Sequence, residues 1–141
     1  MKTSSILGIN ARTQQFSYRA NTARGKKTAD SKLQSAWVLK KADISSPEIF
    51  YKFRKPEDVF KFDWEKLPSQ FALKPSRGMG GEGIIVVKKK ALDGNGWITT
   101  QRVRVTVDDL KLHTLDILEG AYSMGNVPDV AFIQEYVGRH K

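Results

Sequence analysis

The reading of the chain turns on Phe71–Val87, FALKPSRGMGGEGIIVV. Phe71-Ala72-Leu73-Lys74-Pro75 is apolar except for one lysine, and Ile84-Ile85-Val86-Val87 is strongly β-prone. Between them lies Ser76-Arg77-Gly78-Met79-Gly80-Gly81-Glu82-Gly83, with four glycines in the six residues 78–83. Such a loop can adopt positive φ and bring bare N–H groups close to an anion. A strand rather than a helix follows it, and no Lys-Ser/Thr pair succeeds the last glycine. Those two facts exclude the strand–loop–helix phosphate loop and the dinucleotide fingerprint. A glycine-rich flap across two antiparallel strands fits instead, closing on a triphosphate as the glycine loop of kinases does.

Lys74 sits in an apolar strand four residues before Gly78. An ammonium there is costly unless it meets an anion or reaches solvent. Under the flap it would face a phosphate. The competing reading is an exposed hairpin lysine, with the glycines serving only the turn.

Working outward, Asp30 to about Lys41 has a helical pattern, with Leu33, Ala36, Trp37 and Lys40 on one face. Thr28 or Asp30 would cap it. Lys32 lies at its start, where free N–H groups and the dipole favour anions, although on the residues alone a solvated helix lysine is the simpler reading. Glu48–Phe53 reads as a strand, and Pro56 opens a short helix to about Trp64. After the flap, Trp97–Thr100 and Arg102–Val107 return as strands. A helix from Asp108 to about Met124 would bury Leu110, Ile117, Leu118, Ala121 and Tyr122, and Gly125-Asn126 would stop it. Val130–Val137 is the last strand. His113 is read as a helix-face residue. Glu57-Asp58 and Asp108-Asp109 are read as helix N-terminal acids rather than an acid/base pair.

Composition bounds the chemistry. The chain has 141 residues, 40% hydrophobic and 28% charged, which describes one globular domain, and the mixed helix and strand patterns above make its expected class α+β. It has no Cys and two His, His113 and His140, so disulfides, thiol nucleophiles and multi-His metal sites are excluded. No apolar run approaches a membrane span, and the start MKTSSILGIN lacks a leader's apolar stretch, so a cytoplasmic protein with no membrane partner is expected. Net charge is +9, of which residues 1–41 carry +8. A polyanionic partner is implied. Single-stranded nucleic acid, with Phe16 and Tyr18 for stacking, is the alternative to a nucleotide.

FALKPSRGMGGEGIIVV resembles the strand–lysine–flap–strand element of the ATP-grasp ligases. AFIQEYV resembles their adenine-holding hinge strand, and ADSKLQSAWVLKKADISSPEIFY the preceding helix with a nucleotide-contacting lysine. ILGINAR with Tyr18 and Asn21, together with DDLKLHTLDILEGAYSMGNVPDVAFIQEYV, resembles the alpha-L-glutamate ligase-like branch. The resemblance implies ATP as the nucleotide. Lys74 would bind the α/β-phosphates, and Ser76, Arg77, Gly78, Met79, Gly80, Gly81 and Gly83 would close over the β/γ-phosphates. Lys32 would be the first contacting lysine, although Ser31 interrupts the usual Asp-Lys pair. Glu135, Tyr136 and Val137 would face adenine through free backbone groups.

The same resemblance implies a carboxylate–amine ligase working through an acyl phosphate, with carboxylate and amine substrates. Its Mg²⁺ ligands come from strands beyond the hinge, so Mg²⁺ is expected only with a C-terminal half that these residues lack. Residues 1–29 then form a basic N-terminal segment, and 30–141 the N-terminal ATP-grasp subdomain. An exposed edge on the final strand would favour a homodimer. Arg12, Arg19 and Arg24 are candidate contacts for a carboxylate-bearing substrate.

Overall fold

The computed structural model describes residues 7–138. The opening MKTSSI and His140 lie outside them. The chain is α+β. It begins with α1 (Ile9–Arg12), which passes through a π-helical turn, Thr13–Ser17, into α2 (Tyr18–Ala20). Then come α3 (Ala23–Ala29) and α4 (Lys32–Lys41). β1 (Ile49–Phe53), α5 (Pro56–Lys61) and β2 (Phe71–Pro75) follow. After the flap come β3 (Ile85–Lys90), β4 (Trp97–Thr99) and β5 (Arg104–Val105). α6 (Val107–Glu119) and β6 (Ala131–Gln134) complete it.

One sheet holds all six strands in the order β1-β6-β2-β3-β4-β5, and every pairing is antiparallel. The last strand is therefore interior. β6 pairs with β1 on one side and β2 on the other, because its buried apolar run needs partners on both edges. The expected free edge on the final strand is not there; β1 and β5 are the edges.

Strand alternation sorts the two faces. Phe53, Phe71, Leu73, Val87, Ala131 and Ile133 point to the core, where Val59 of α5 and Leu110 and Ile117 of α6 meet them. Phe53 stacks on Trp64 with ring centroids 5.2 Å apart, and Phe71 meets Trp97 edge-on at 5.7 Å. The opposite face carries Lys52, Phe132, Gln134, Ala72, Lys74 and Val86, as the partner pairs Lys52↔Phe132, Lys74↔Phe132, Ala72↔Gln134 and Ala72↔Val86 require.

Several boundaries differ from the sequence expectation. α4 is capped by Ser31, not Thr28 or Asp30; Ser31 is drawn there by a buried hydroxyl contact to Ser76 at 3.0 Å. Its Trp37 is 57% exposed, so the anticipated apolar face is only half covered. α5 stops at Lys61 because Phe62 turns extended, which lets Phe62 and Trp64 reach Phe53. α6 ends at Glu119, five residues short of Met124. Gly120 takes φ 92°, and the amides of Gly120 and Ala121 close back on Ile117 and Asp116. Ala121 is consequently exposed. The strand expected over Arg102–Val107 shrinks to two residues, since Arg102 has φ 65°. The pair Asp108-Asp109 does serve the helix start: Asp109 accepts the Thr106 amide at 2.8 Å and Thr106 Oγ1 accepts the Asp109 amide at 3.2 Å.

Candidate functional site

The junction of α4 with the end of β2 is tied by backbone. The Lys32 amide donates to Ser76 O at 2.9 Å, and the Ser76 amide donates to Val130 O at 2.9 Å. This places the first side chain of α4 beside the flap. Lys32 Nζ donates to Gly78 O at 2.7 Å. Lys74 Nζ donates to Gln134 Oε1 at 2.9 Å, and Gln134 Nε2 in turn donates to Pro47 O at 3.3 Å.

Both lysines are half-buried. Burial holds the Lys32 ammonium below its ordinary range, and the nearby Asp129 charge partly offsets this. Burial also lowers Lys74, and the positive charge of Lys32 lowers it further. Among the described residues, neither lysine has a carboxylate within ion-pair distance. Asp129 is buried, but its oxygens are committed to the amides of Arg77 and Val130, both at 2.7 Å. Two half-buried ammonium groups with no carboxylate in ion-pair contact, and Asp129 acting on Lys32 only at longer range, leave N–H donors that an anion could engage.

The flap begins at the Lys32 contact. Glu82 N donates to Met79 O at 2.9 Å, and Gly80 and Gly81 between them take φ 61° and 84°. Two successive left-handed residues make a mirror-type turn that nearly demands glycine. Met79, Gly80, Gly81 and Glu82 are exposed, as is Arg77, while Ser76 is buried. A cavity of about 470 Å³ opens against the flap, lined in part by Asp30, Lys32, Arg77, Gly78 and Met79. Lys74 does not line it.

The hinge residues stand just beyond β6, not within it. Glu135 and Val137 are exposed and Tyr136 is half-buried. The Glu135 amide is not free as expected: it donates to Glu48 O at 2.8 Å, and Glu135 Oε2 accepts the Glu48 amide at 3.2 Å. The strand pairing with β1 extends that far because β6 is interior.

Arg12, Arg19 and Arg24 are exposed on the N-terminal helices, and none lines the cavity beside Lys32. The Tyr18 ring has Lys26 Nζ 4.0 Å from its centroid, so one of its faces is already covered. Gln134 and Asp129 were not singled out by their residue patterns. A glutamine in the apolar run AFIQ is the one available sequence signal; for Asp129 there is none. Among the described residues, no group of three or more His, Cys, Asp or Glu side chains could hold a metal ion. No helix among them is long and apolar enough to cross a membrane.

Comparison with known proteins bears on this arrangement. A family model described as sugar-transfer associated ATP-grasp matches residues 11–141. No curated protein and no solved structure matches. The matched span includes α3, α4, both lysines, the flap and the residues after β6. It supports the ATP-grasp resemblance, and its branch is the sugar-transfer associated one rather than the glutamate ligase-like one. With a lysine bonded to a glycine-rich flap, a second lysine on the adjoining strand of an antiparallel sheet, and a match over nearly the whole length, the chain belongs to the sugar-transfer associated ATP-grasp family of ATP-binding modules.

Proposed function

We propose that Lys32 and Lys74 hold the phosphates of ATP while Gly78–Gly83 closes over them. The observation that carries this is the pair of half-buried ammonium groups, Lys32 bonded to the flap at Gly78 O and Lys74 repelled by the Lys32 charge, with no carboxylate in ion-pair contact with either among the described residues. A triphosphate supplies the negative charge that neither lysine contacts directly. Gln134 orients Lys74, and the Lys32 bond to Gly78 O ties the cation to the flap. Adenine would lie by Glu135–Val137. Since the Glu135 amide is engaged by Glu48, the Glu135 carbonyl and the Val137 amide are the groups left to read it.

The reaction we assign is carboxylate–amine ligation. A carboxylate oxygen attacks the γ-phosphorus, the bond to the β-phosphate oxygen breaks, and ADP leaves. An amine then attacks the acyl carbon, loses a proton and expels phosphate. These residues contribute charge neutralisation and placement. The family description ties such domains to sugar transfer, so a sugar-bearing acid or amine is to be tried beside glutamate. Mg²⁺ is implied by the family resemblance. The carboxylates present do not fit one, since among the described residues no three His, Cys, Asp or Glu side chains come together and each Asp129 oxygen already accepts one backbone amide.

The test is displacement of a fluorescent ATP analogue. Unlabelled ATP should displace it, and a single-stranded oligonucleotide at equal phosphate concentration and ionic strength should not. Displacement by the oligonucleotide alone would favour the nucleic-acid reading.

A further inference from the structure

The flap is held at both ends by different chemistry. At the front, Gly78 O accepts from Lys32 Nζ at 2.7 Å. At the rear, Gly83 O lies 2.9 Å from His113 Nε2. A carbonyl can only accept, so Nε2 carries the proton. Nδ1 is then free to accept, and the Tyr122 hydroxyl lies 3.2 Å from it. Burial, with a smaller contribution from the Asp116 charge, raises the Tyr122 hydroxyl above its ordinary range, so it stays protonated as the donor. The two rings pack with centroids 5.1 Å apart.

Gly83 itself takes φ 70°, and a Cβ there would lie 2.5 Å from the Tyr122 ring. The rear of the flap therefore rests on Tyr122 as well as on His113. His113 rides on α6, whose Leu110, Thr114 and Ile117 are fully buried. Its position is set by the core, not by the loop. The front anchor differs, because Lys32 is the group that phosphates would engage. A ligand competes for the front anchor and leaves the rear one alone.

We propose that His113, backed by Tyr122, is a positioning residue that fixes the rear of the glycine flap, so that the flap opens and closes from its Lys32 end. The proposal rests on the nucleotide reading for what the flap closes upon, but the anchor itself exists in the ligand-free protein. Neither residue touches the proposed phosphates.

Hydrogen–deuterium exchange of the ligand-free chain tests it, alongside titration of trinitrophenyl-ATP. His113→Ala should speed exchange of the flap's hydrogen-bonded Glu82 amide about tenfold, the loss of one hydrogen bond. It should weaken the analogue by a similar factor. His113→Gln presents an amide N–H near the Nε2 position and should restore both to within about twofold of the parent. Core amides of α6 should exchange unchanged. Tyr122→Phe, which keeps the ring and loses only the hydroxyl, should fall between, and it gives the same readout if His113→Ala does not fold. Parent-like flap exchange in both His113→Ala and Tyr122→Phe overturns the anchor. So does a glutamine variant as loose as the alanine one, or loosening spread equally over α6. If the parent chain does not bind the analogue, the nucleotide reading fails, while the exchange measurements still decide the anchor.

Discussion

Lys74→Met removes one of the two repelling cations and keeps the apolar stem. An ammonium has three N–H donors. Lys74 spends one on Gln134 Oε1 at 2.9 Å, which leaves two for phosphate oxygens. A charge-assisted hydrogen bond contributes about 1.5–3 kcal/mol. The site is half open to water, so screening favours the lower part of that range. Removing Lys74 also relieves Lys32 of its repulsive neighbour, which offsets part of the loss. We therefore expect a penalty of about 2 kcal/mol, or roughly thirtyfold in Kd.

The pH dependence is a second, independent signature of the same residue. Both lysines are depressed in the free protein and would regain protons beside a phosphate. Binding must then take up protons as pH rises toward 10.5, and affinity must fall over that range. Lys74→Met should flatten the fall. The assay is titration of a fluorescent ATP analogue at constant ionic strength across the alkaline range. The control is Lys66→Ala, whose ammonium is 83% exposed and paired with Asp63 at 3.0 Å. If Lys74→Met changes Kd no more than Lys66→Ala does, or if parental affinity is flat with pH, the two-lysine argument is wrong.

Without ligand, the lowered lysine values mean that the folded chain binds fewer protons than the unfolded one at alkaline pH. Its unfolding free energy should rise as pH approaches 10, measured by urea titration; a fall would contradict the desolvation argument. Beyond 10.0 the raised Tyr122 value acts the other way, because the unfolded chain releases that proton first. Thr106→Ala removes the N-cap of α6 and should cost about 1 kcal/mol in chemical denaturation. Phe53→Ala opens a hole between Trp64 and Phe62 in a fully buried position, with an expected loss of about 3–5 kcal/mol and a large fall in thermal midpoint.

Much of the fold was legible because its signals are local. Phe71–Pro75 emerges as a strand with the bounds its residues suggest, and Gly80-Gly81 marks the turn through its positive φ. Asp109 serves its helix start as an acid there should. The early end of α6 at Gly120 and the short β5 after Arg102 have local causes in positive φ; three other misses share a long-range one. Ser31 became the cap because Ser76, forty-five residues away, reaches its hydroxyl. Phe62 left α5 for an aromatic partner on β1. β6 became an interior strand because β1 and β2 both had open edges. Each involves a contact whose partner no local pattern reveals.

The residues alone determined that a lysine-bearing strand, a glycine-rich loop and a second strand follow one another, because turn conformation and β-propensity are properties of a few neighbouring residues. Only the tertiary structure decided that Lys32 bonds Gly78 O and Lys74 bonds Gln134, that Asp129 accepts the amides of Arg77 and Val130, and that His113 meets the Gly83 carbonyl. The cost of a buried charge depends on which distant groups surround it, and folding alone brings those groups together.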